Sequence, residues 1–196
     1  SSYDWVSLNG ACLTAGTYSA TSTSSIPGCS GLPYYSGKTQ VGGVSGRLPD
    51  PVGQGALRLS NGDTVKDGSN GNNQTGAVVS NFTFPSGQGL QVTFTSVTYG
   101  GNAYNTTGAD GMVFFLMDGA RSPNVGAYGG SLGYSCSNNK DAADGVLGGY
   151  IGLGIDEFGN FSNPEDTTAS GPGFTPRSIV LRGGGNITWA WLNANY

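Results

Sequence analysis

Asp156 is followed at short intervals by Phe158, Asn160, Asn163, Glu165 and Asp166, with Pro164 turning the chain between them. A loop folded back on itself can gather an Asp156 carboxylate, a backbone carbonyl such as that of Phe158, the Asn160 side chain and a later carboxylate around one point. Those are hard oxygen donors with neither sulfur nor imidazole among them. Such a set suits Ca2+, which takes about 6–8 oxygens at about 2.3–2.6 Å. The simpler alternative is an Asx-rich turn that closes a strand end. Two other segments share this character. Gly108-Ala109-Asp110-Gly111 stands directly before a long apolar run, and Gly126-Ala127-Tyr128-Gly129-Gly130-Ser131-Leu132-Gly133 is a glycine-rich stretch. Taken singly, the first is also an ordinary turn and the second also a glycine linker.

The elements that must position these segments are strands. In 90–98 (LQVTFTSVT), Leu90, Val92 and Phe94 alternate with Gln91, Thr93 and Thr95, the period of a half-buried strand. Residues 77–84 (AVVSNFTF) form a second clear strand, with Pro85-Ser86-Gly87 as the turn between the two. Residues 111–118 (GMVFFLMD) are continuously apolar and read as a central strand buried on both faces. In 150–156 (YIGLGID), Ile151, Leu153 and Ile155 point one way while Gly152, Gly154 and Asp156 point the other, leaving a flat surface open to close approach. Shorter strands are expected at 54–60, 177–181 and 187–192, and a polar loop at 61–73. No amphipathic helix of normal length and no tandem repeat occurs. The link 119–149 is long enough to be a functional loop. Together these features predict an all-β chain: a sandwich of antiparallel sheets with long loops at one edge. Residues 1–50 form an irregular arm of short strands within the same domain, and 51–196 form the sandwich proper.

Composition removes several chemistries. The 196 residues include 36 glycines and no histidine, so Ser-His-Asp and Cys-His nucleophilic systems and any imidazole base are excluded. Eight Lys plus Arg against 12 Asp plus Glu give a net charge of −4, too few cations for nucleic acid or a polybasic membrane anchor. No apolar run approaches the roughly 20 residues of a membrane span. Cys12 and Cys29 bracket a Ser/Thr/Gly-rich loop whose closure by a disulfide would contribute about 3 kcal/mol, leaving Cys136 over. The Thr/Asn/Gly-rich, Lys-poor composition points to a secreted or cell-surface setting. Sequons at Asn81, Asn105 and Asn160 are glycan acceptors in a eukaryotic secretory host, where a glycan on Asn160 would block the proposed ion site.

The order and spacing of ALRLSNG (56–62), GADGMVFFL (108–116), GAYGGSLGY (126–134) and GGYIGLGIDEFGNF (148–161) resemble the L-type, legume or concanavalin A-like lectin domain and in particular its bacterial branch. The narrower likeness is to the N-terminal region of type IV pilus tip-associated adhesins. The resemblance covers the middle and later parts of the chain, not residues 1–50 or the last dozen. It implies a concanavalin A-like jelly-roll sandwich and a non-catalytic, calcium-dependent carbohydrate-binding domain of a secreted or pilus-associated adhesin. The implied partners are glycans on a cell surface or matrix and, further, pilus subunits, with no nucleic acid and no membrane insertion.

Residue by residue, the resemblance implies that Asp110, after the small Ala109 and often across a cis peptide, accepts hydrogen bonds from sugar hydroxyls. Gly129 or Gly130 donates a backbone N–H to the same sugar. Asp156 is the first calcium ligand, Phe158 supplies a carbonyl to the ion and its ring to the sugar, and Asn160 serves both. The later carboxylate is Asp166 or Glu165, with Asp166 preferred. The sequence also departs from the family. The Glu of the second, transition-metal site is replaced by Gly154 and its His is missing, so calcium alone is expected. Glycoside hydrolases on the same sandwich place Glu-x-Asp-x-x-Glu on one strand. Aligned on Asp156, both Glu positions are glycines, Gly154 and Gly159, which argues against hydrolysis. A structural or protein-binding tip module that uses the fold without sugar is the alternative.

Overall fold

The computed structural model describes residues 4–16, 27–43, 48–60, 65–66, 69–70, 73–98, 108–137, 144–162 and 171–184. Among them the chain is all-β, with short strands and only brief 3-10 turns. In order the strands are β1 (Trp5–Leu8), β2 (Cys12–Leu13), β3 (Tyr34–Tyr35), β4 (Lys38–Thr39), β5 (Leu57–Arg58), β6 (Val65–Lys66), β7 (Ser69–Asn70), β8 (Ala77–Ser80), β9 (Gly111–Met117), β10 (Gly149–Asp156) and β11 (Ser178–Arg182). All paired registers among them are antiparallel. The chain divides into two compact units, residues 1–61 with 78–100, and residues 62–77 with 101–196.

In the first unit, β1 pairs with β8, β2 with β5 and β3 with β4. The Cys12–Cys29 disulfide expected from the sequence is present, with its Cα atoms 5.7 Å apart. Val6, Ala11, Cys12, Ala15 and Val41 of this unit are buried. Asp50 ties the Thr14 turn together, accepting from the Thr14 hydroxyl at 2.9 Å and from the Gly16 N–H at 2.6 Å. The N-terminal residues are thus held by one covalent link and by polar bonds to the segment at 50–56.

The second unit contains the sheet that matters for the candidate site, in the order β11-β10-β9. Its register fixes which side chains share a face, because residues directly opposite in an antiparallel pair point the same way. Val113, Gly154 and Val180 lie in one row, and Phe115, Gly152 and Arg182 in the next. Tyr134, Val146 and Phe161, all fully buried, pack on this face together with Val113, Phe115, Met117, Leu132 and Val180. The opposite face carries Met112, Phe114 and Leu116 from β9, Ile151, Leu153 and Ile155 from β10, and Ile179 and Leu181 from β11. Ile179 is 75% and Leu181 65% exposed, so an apolar sheet face stands largely uncovered at its β11 side.

Several expectations are corrected here. The continuous apolar run at 111–118 is not the middle strand among the described residues. β10 is, and β9 lies beside it, half-buried along its length. An apolar run signals two covered faces but says nothing about position within the sheet. The flat surface read at Gly152 and Gly154 does admit a close approach, and what approaches is part of the chain itself. A Cβ on Gly152 would lie 2.9 Å from the Tyr134 ring, and one on Gly154 would collide with the Phe161 ring. The glycines admit the protein's own aromatic rings. Residues 90–98 join no ladder among the described residues, and Leu90, Val92 and Phe94 are 49, 46 and 43% exposed. Their alternation specifies two chemically distinct edges of an extended segment but not a ladder partner. The strand at 77–84 stops at Ser80, where the Ser80 hydroxyl and the Phe82 backbone bond each other in a tight bend. The loop read at 61–73 contains the β6–β7 pair, whose strands are separated in sequence by Asp67 and Gly68, a hairpin signal that the polar composition hid. The strand read at 54–60 shrinks to Leu57–Arg58, and the one read at 177–181 is Ser178–Arg182. The strand at 187–192 lies outside the described residues.

Candidate functional site

The site is built at one end of the three-stranded sheet, where β9 begins, β10 ends and β11 begins. Gly111, Asp156 and Ser178 stand opposite one another there. Gly111 has φ +142°, and a Cβ on it would strike the Ile155 carbonyl, so glycine is required for β9 to come this close to β10. The Asp110 carbonyl then accepts two backbone N–H groups from the far side of the junction, Glu157 at 3.0 Å and Phe158 at 3.2 Å. The Ala109–Asp110 peptide is cis. Asp110 is half-buried, while Gly108 and Ala109 before it are exposed.

Beyond β10 the chain turns around Asp156. Asp156 is 1% exposed, and its carboxylate accepts the Gly159 N–H at 2.7 Å on Oδ1 and the Phe161 N–H at 2.8 Å on Oδ2. Burial pushes its pKa above the ordinary 3.8, and the two backbone hydrogen bonds pull it partly back. Asp156 therefore does what the Asx-turn alternative supposes. Each carboxylate oxygen still keeps a second lone pair, so the turn and a cation are not mutually exclusive. Phe161 is held further on its far side, where Arg182 Nη1 donates to its carbonyl at 2.9 Å and the guanidinium lies 5.3 Å from its ring centroid. Phe161 also meets the Tyr134 ring edge-on at 6.3 Å. The loop from 157 to 161 is thus clamped at both ends of its backbone.

The glycine segment is no linker. It closes on itself through Gly126 N–H to Gly133 carbonyl at 2.7 Å, Gly133 N–H to Ala127 carbonyl at 2.8 Å, and a 3-10 turn over Gly129–Ser131. Leu132 ends that turn in the left-handed region, with φ 51°. Gly130 is buried against Asn160, and a Cβ there would collide with the Asn160 side chain. The close approach of the two loops explains glycine at 130, whereas Gly129 is there for its φ of +72°.

Of the residues singled out in the sequence, Asp110 bonds Phe158, Asp156 closes the turn that leads to Phe158 and Asn160, and Gly130 packs on Asn160, with Gly129 next to it in the same 3-10 turn. Asp166, Glu165 and Asn163 lie outside the described residues. On either side of them in sequence, Gly173 donates its N–H to the Ser162 carbonyl at 3.1 Å and the Ser162 hydroxyl donates to the Gly173 carbonyl at 2.9 Å. Among the described residues, no three His, Cys, Asp or Glu side chains gather in a metal-binding group. The donor chemistry still fits a hard cation. The buried Asp156 carboxylate has two hydrogen bonds and, among the described residues, no ion pair to offset its lost hydration.

Sequence reasoning missed two participants. Arg182 had no motif to announce it, because only the β10–β11 register brings it over Phe161. Phe174 lies in a Gly/Pro-rich turn and packs its ring edge-on against Phe158, with centroids 5.5 Å apart and planes at 71°. Its one signal in the sequence is an aromatic residue inside an otherwise breaker-rich stretch.

Comparison with protein-family models, curated proteins and solved structures finds no match. Among the described residues, no helix is long and apolar enough to cross a membrane.

Proposed function

We propose that this chain is a non-catalytic, calcium-dependent carbohydrate-binding domain of the L-type lectin kind, carried by a secreted or pilus-associated adhesin. One observation carries the reading. Three segments far apart in sequence, holding Asp110, Gly130 and Asn160, come to one sheet end, where Phe158 bonds Asp110 and Asn160 packs on Gly130. A sugar needs a few oriented polar groups on rigid supports beside an apolar surface. Here Asp110 offers an acceptor, the Gly129–Gly130 backbone offers donors, Asn160 offers both, and the Phe158 ring offers the apolar contact.

The proposed ion sits among Asp156, the Phe158 carbonyl, Asn160 and Asp166 or Glu165, three or four residues beyond Ser162. When bound, it neutralises the Asp156 carboxylate and fixes the loop before the sugar arrives, so less ordering cost falls on binding. The proposed architecture is a jelly-roll sandwich. Its support is that the β9–β10–β11 sheet is apolar on both faces, and only one of them is covered by the Tyr134 and Phe161 cluster. A second sheet over Ile179 and Leu181 satisfies the other. The Cys12–Cys29 bond accords with an oxidising, extracellular setting.

The test is a glycan array probed in millimolar calcium, a range set by the weak affinities of extracellular calcium modules, about 10⁻⁴–10⁻³ M. Binding is expected, and chelation with EDTA is expected to abolish it and to lower the melting temperature. Asp110→Asn is expected to weaken binding about 10–100-fold, because hydrogen bonds to a charged acceptor contribute roughly 1.5–3 kcal/mol, while the melting temperature stays within a few degrees. An array with no bound glycan, or one on which Asp110→Asn binds as the parent does, overturns the reading in favour of a structural module.

A further inference from the structure

We propose that Phe174 is a ligand-contacting residue: with Phe158 it forms a two-ring aromatic wall that takes the apolar C–H face of a pyranose. The proposal rests on the carbohydrate-binding reading and adds to it a residue, a loop and a preference for ring faces.

Phe174 is 57% exposed, yet its backbone neighbours are tied down. The next residue, Thr175, donates its N–H to the Gly159 carbonyl at 2.9 Å, and Arg177 donates to the Glu157 carbonyl at 3.2 Å. Pro176 lies so close to Gly159, at φ +114°, that a Cβ on Gly159 would collide with the proline backbone. The segment from 174 to 177 is therefore strapped along the loop from 157 to 159, which itself hangs from the Asp110 carbonyl through Phe158.

A single exposed aromatic needs no explanation on a protein surface. Phe174 differs from that case in three ways. Its flanking backbone is pinned, its ring meets a second ring in T-shaped geometry, and that second ring belongs to the residue bonded to Asp110. Pinning matters for binding. An aromatic side chain on a fixed backbone has only two torsions to lose on contact, so stacking is gained at small ordering cost. Two rings at 71° to one another present an angled surface rather than a flat one. That shape favours a sugar whose axial C–H groups form an apolar patch on one face.

The experiment titrates the best glycan from the array, in millimolar calcium, against the parent chain, Phe174→Ala, Phe174→Trp and Asp110→Asn, with melting temperatures recorded for each. Saturation transfer from aromatic protons to sugar protons is measured for the parent and Phe174→Ala. An aromatic contact contributes roughly 0.5–1.5 kcal/mol, so Phe174→Ala is expected to weaken binding by up to about tenfold. Phe174→Trp is expected to restore it, and transfer to the C–H protons of one ring face is expected to fall in Phe174→Ala. Parent binding that Asp110→Asn removes but Phe174→Ala leaves intact overturns this proposal alone. So does a Phe174→Ala chain that binds more weakly only as it melts earlier, with Phe174→Trp restoring neither property. A parent chain that binds no glycan overturns the carbohydrate reading and this proposal together.

Discussion

Phe161→Ala is expected to lower folding stability by about 3–5 kcal/mol, the usual cost of emptying a fully buried aromatic site, read as a fall in the urea midpoint at unchanged slope. Phe161 has no accessible surface, and its ring occupies the place of a Gly154 side chain while its edge faces Tyr134. Its removal would open a cavity that Gly154, lacking any side chain, cannot collapse to fill. Arg182 would lose the ring beneath its guanidinium as well. Total stabilities of domains are commonly about 5–15 kcal/mol, so this one change takes a large share. The reciprocal change, Gly154→Ala, pushes a methyl into the ring and is expected to cost about 1–3 kcal/mol by overpacking. A Phe161→Ala chain whose midpoint moves by less than a tenth of the parent value would mean that the Tyr134 cluster does not depend on this ring.

Asp156 is expected to give the second large effect, with a signature in pH. Asp156→Ala leaves the buried N–H groups of Gly159 and Phe161 without acceptors, at about 1–3 kcal/mol each, partly offset because no carboxylate need then be desolvated. The pH dependence follows from the raised pKa. Between the ordinary value of 3.8 and the higher folded value, the folded state holds the proton more tightly than the unfolded chain does. Without calcium, the Asp156 contribution is therefore most favourable below 3.8 and is lost as pH rises through the folded pKa. Other carboxylates titrate nearby, so the quantity to read is the difference in melting temperature between the parent and Asp156→Asn across about pH 3–7 in EDTA. That difference is expected to shift against the parent as pH rises, and millimolar calcium is expected to reverse the shift by supplying a countercharge. A difference indifferent to calcium would remove Asp156 from the proposed ion site.

Both effects come from residues that the sequence displays unequally. Asp156 is conspicuous as an acid at the end of an alternating strand, and the turn it closes is local, within five residues. Phe161 looks like any aromatic residue in a polar loop. Its burial depends on Gly154 in β10 and on the Tyr134 loop, which arrive from different parts of the chain.

The division between sequence and structure follows the range of the interactions. Local chemistry is written in order along the chain: alternation marks β10, glycine and proline mark the breaks, and the spacing of Cys12 and Cys29 allows the loop they close. The lack of histidine removes imidazole chemistry from these 196 residues before any fold is known. Pairing is different, because a strand's side-chain pattern fixes which way its residues face but not which strand lies alongside. Only the tertiary structure therefore decided that β10 lies between β9 and β11, that 90–98 joins no ladder among the described residues, and that the bare glycine face of β10 receives the rings of Tyr134 and Phe161. It alone brought Arg182 over Phe161 and Phe174 against Phe158, since those contacts span 21 and 16 residues and depend on backbone register and loop closure rather than on any motif.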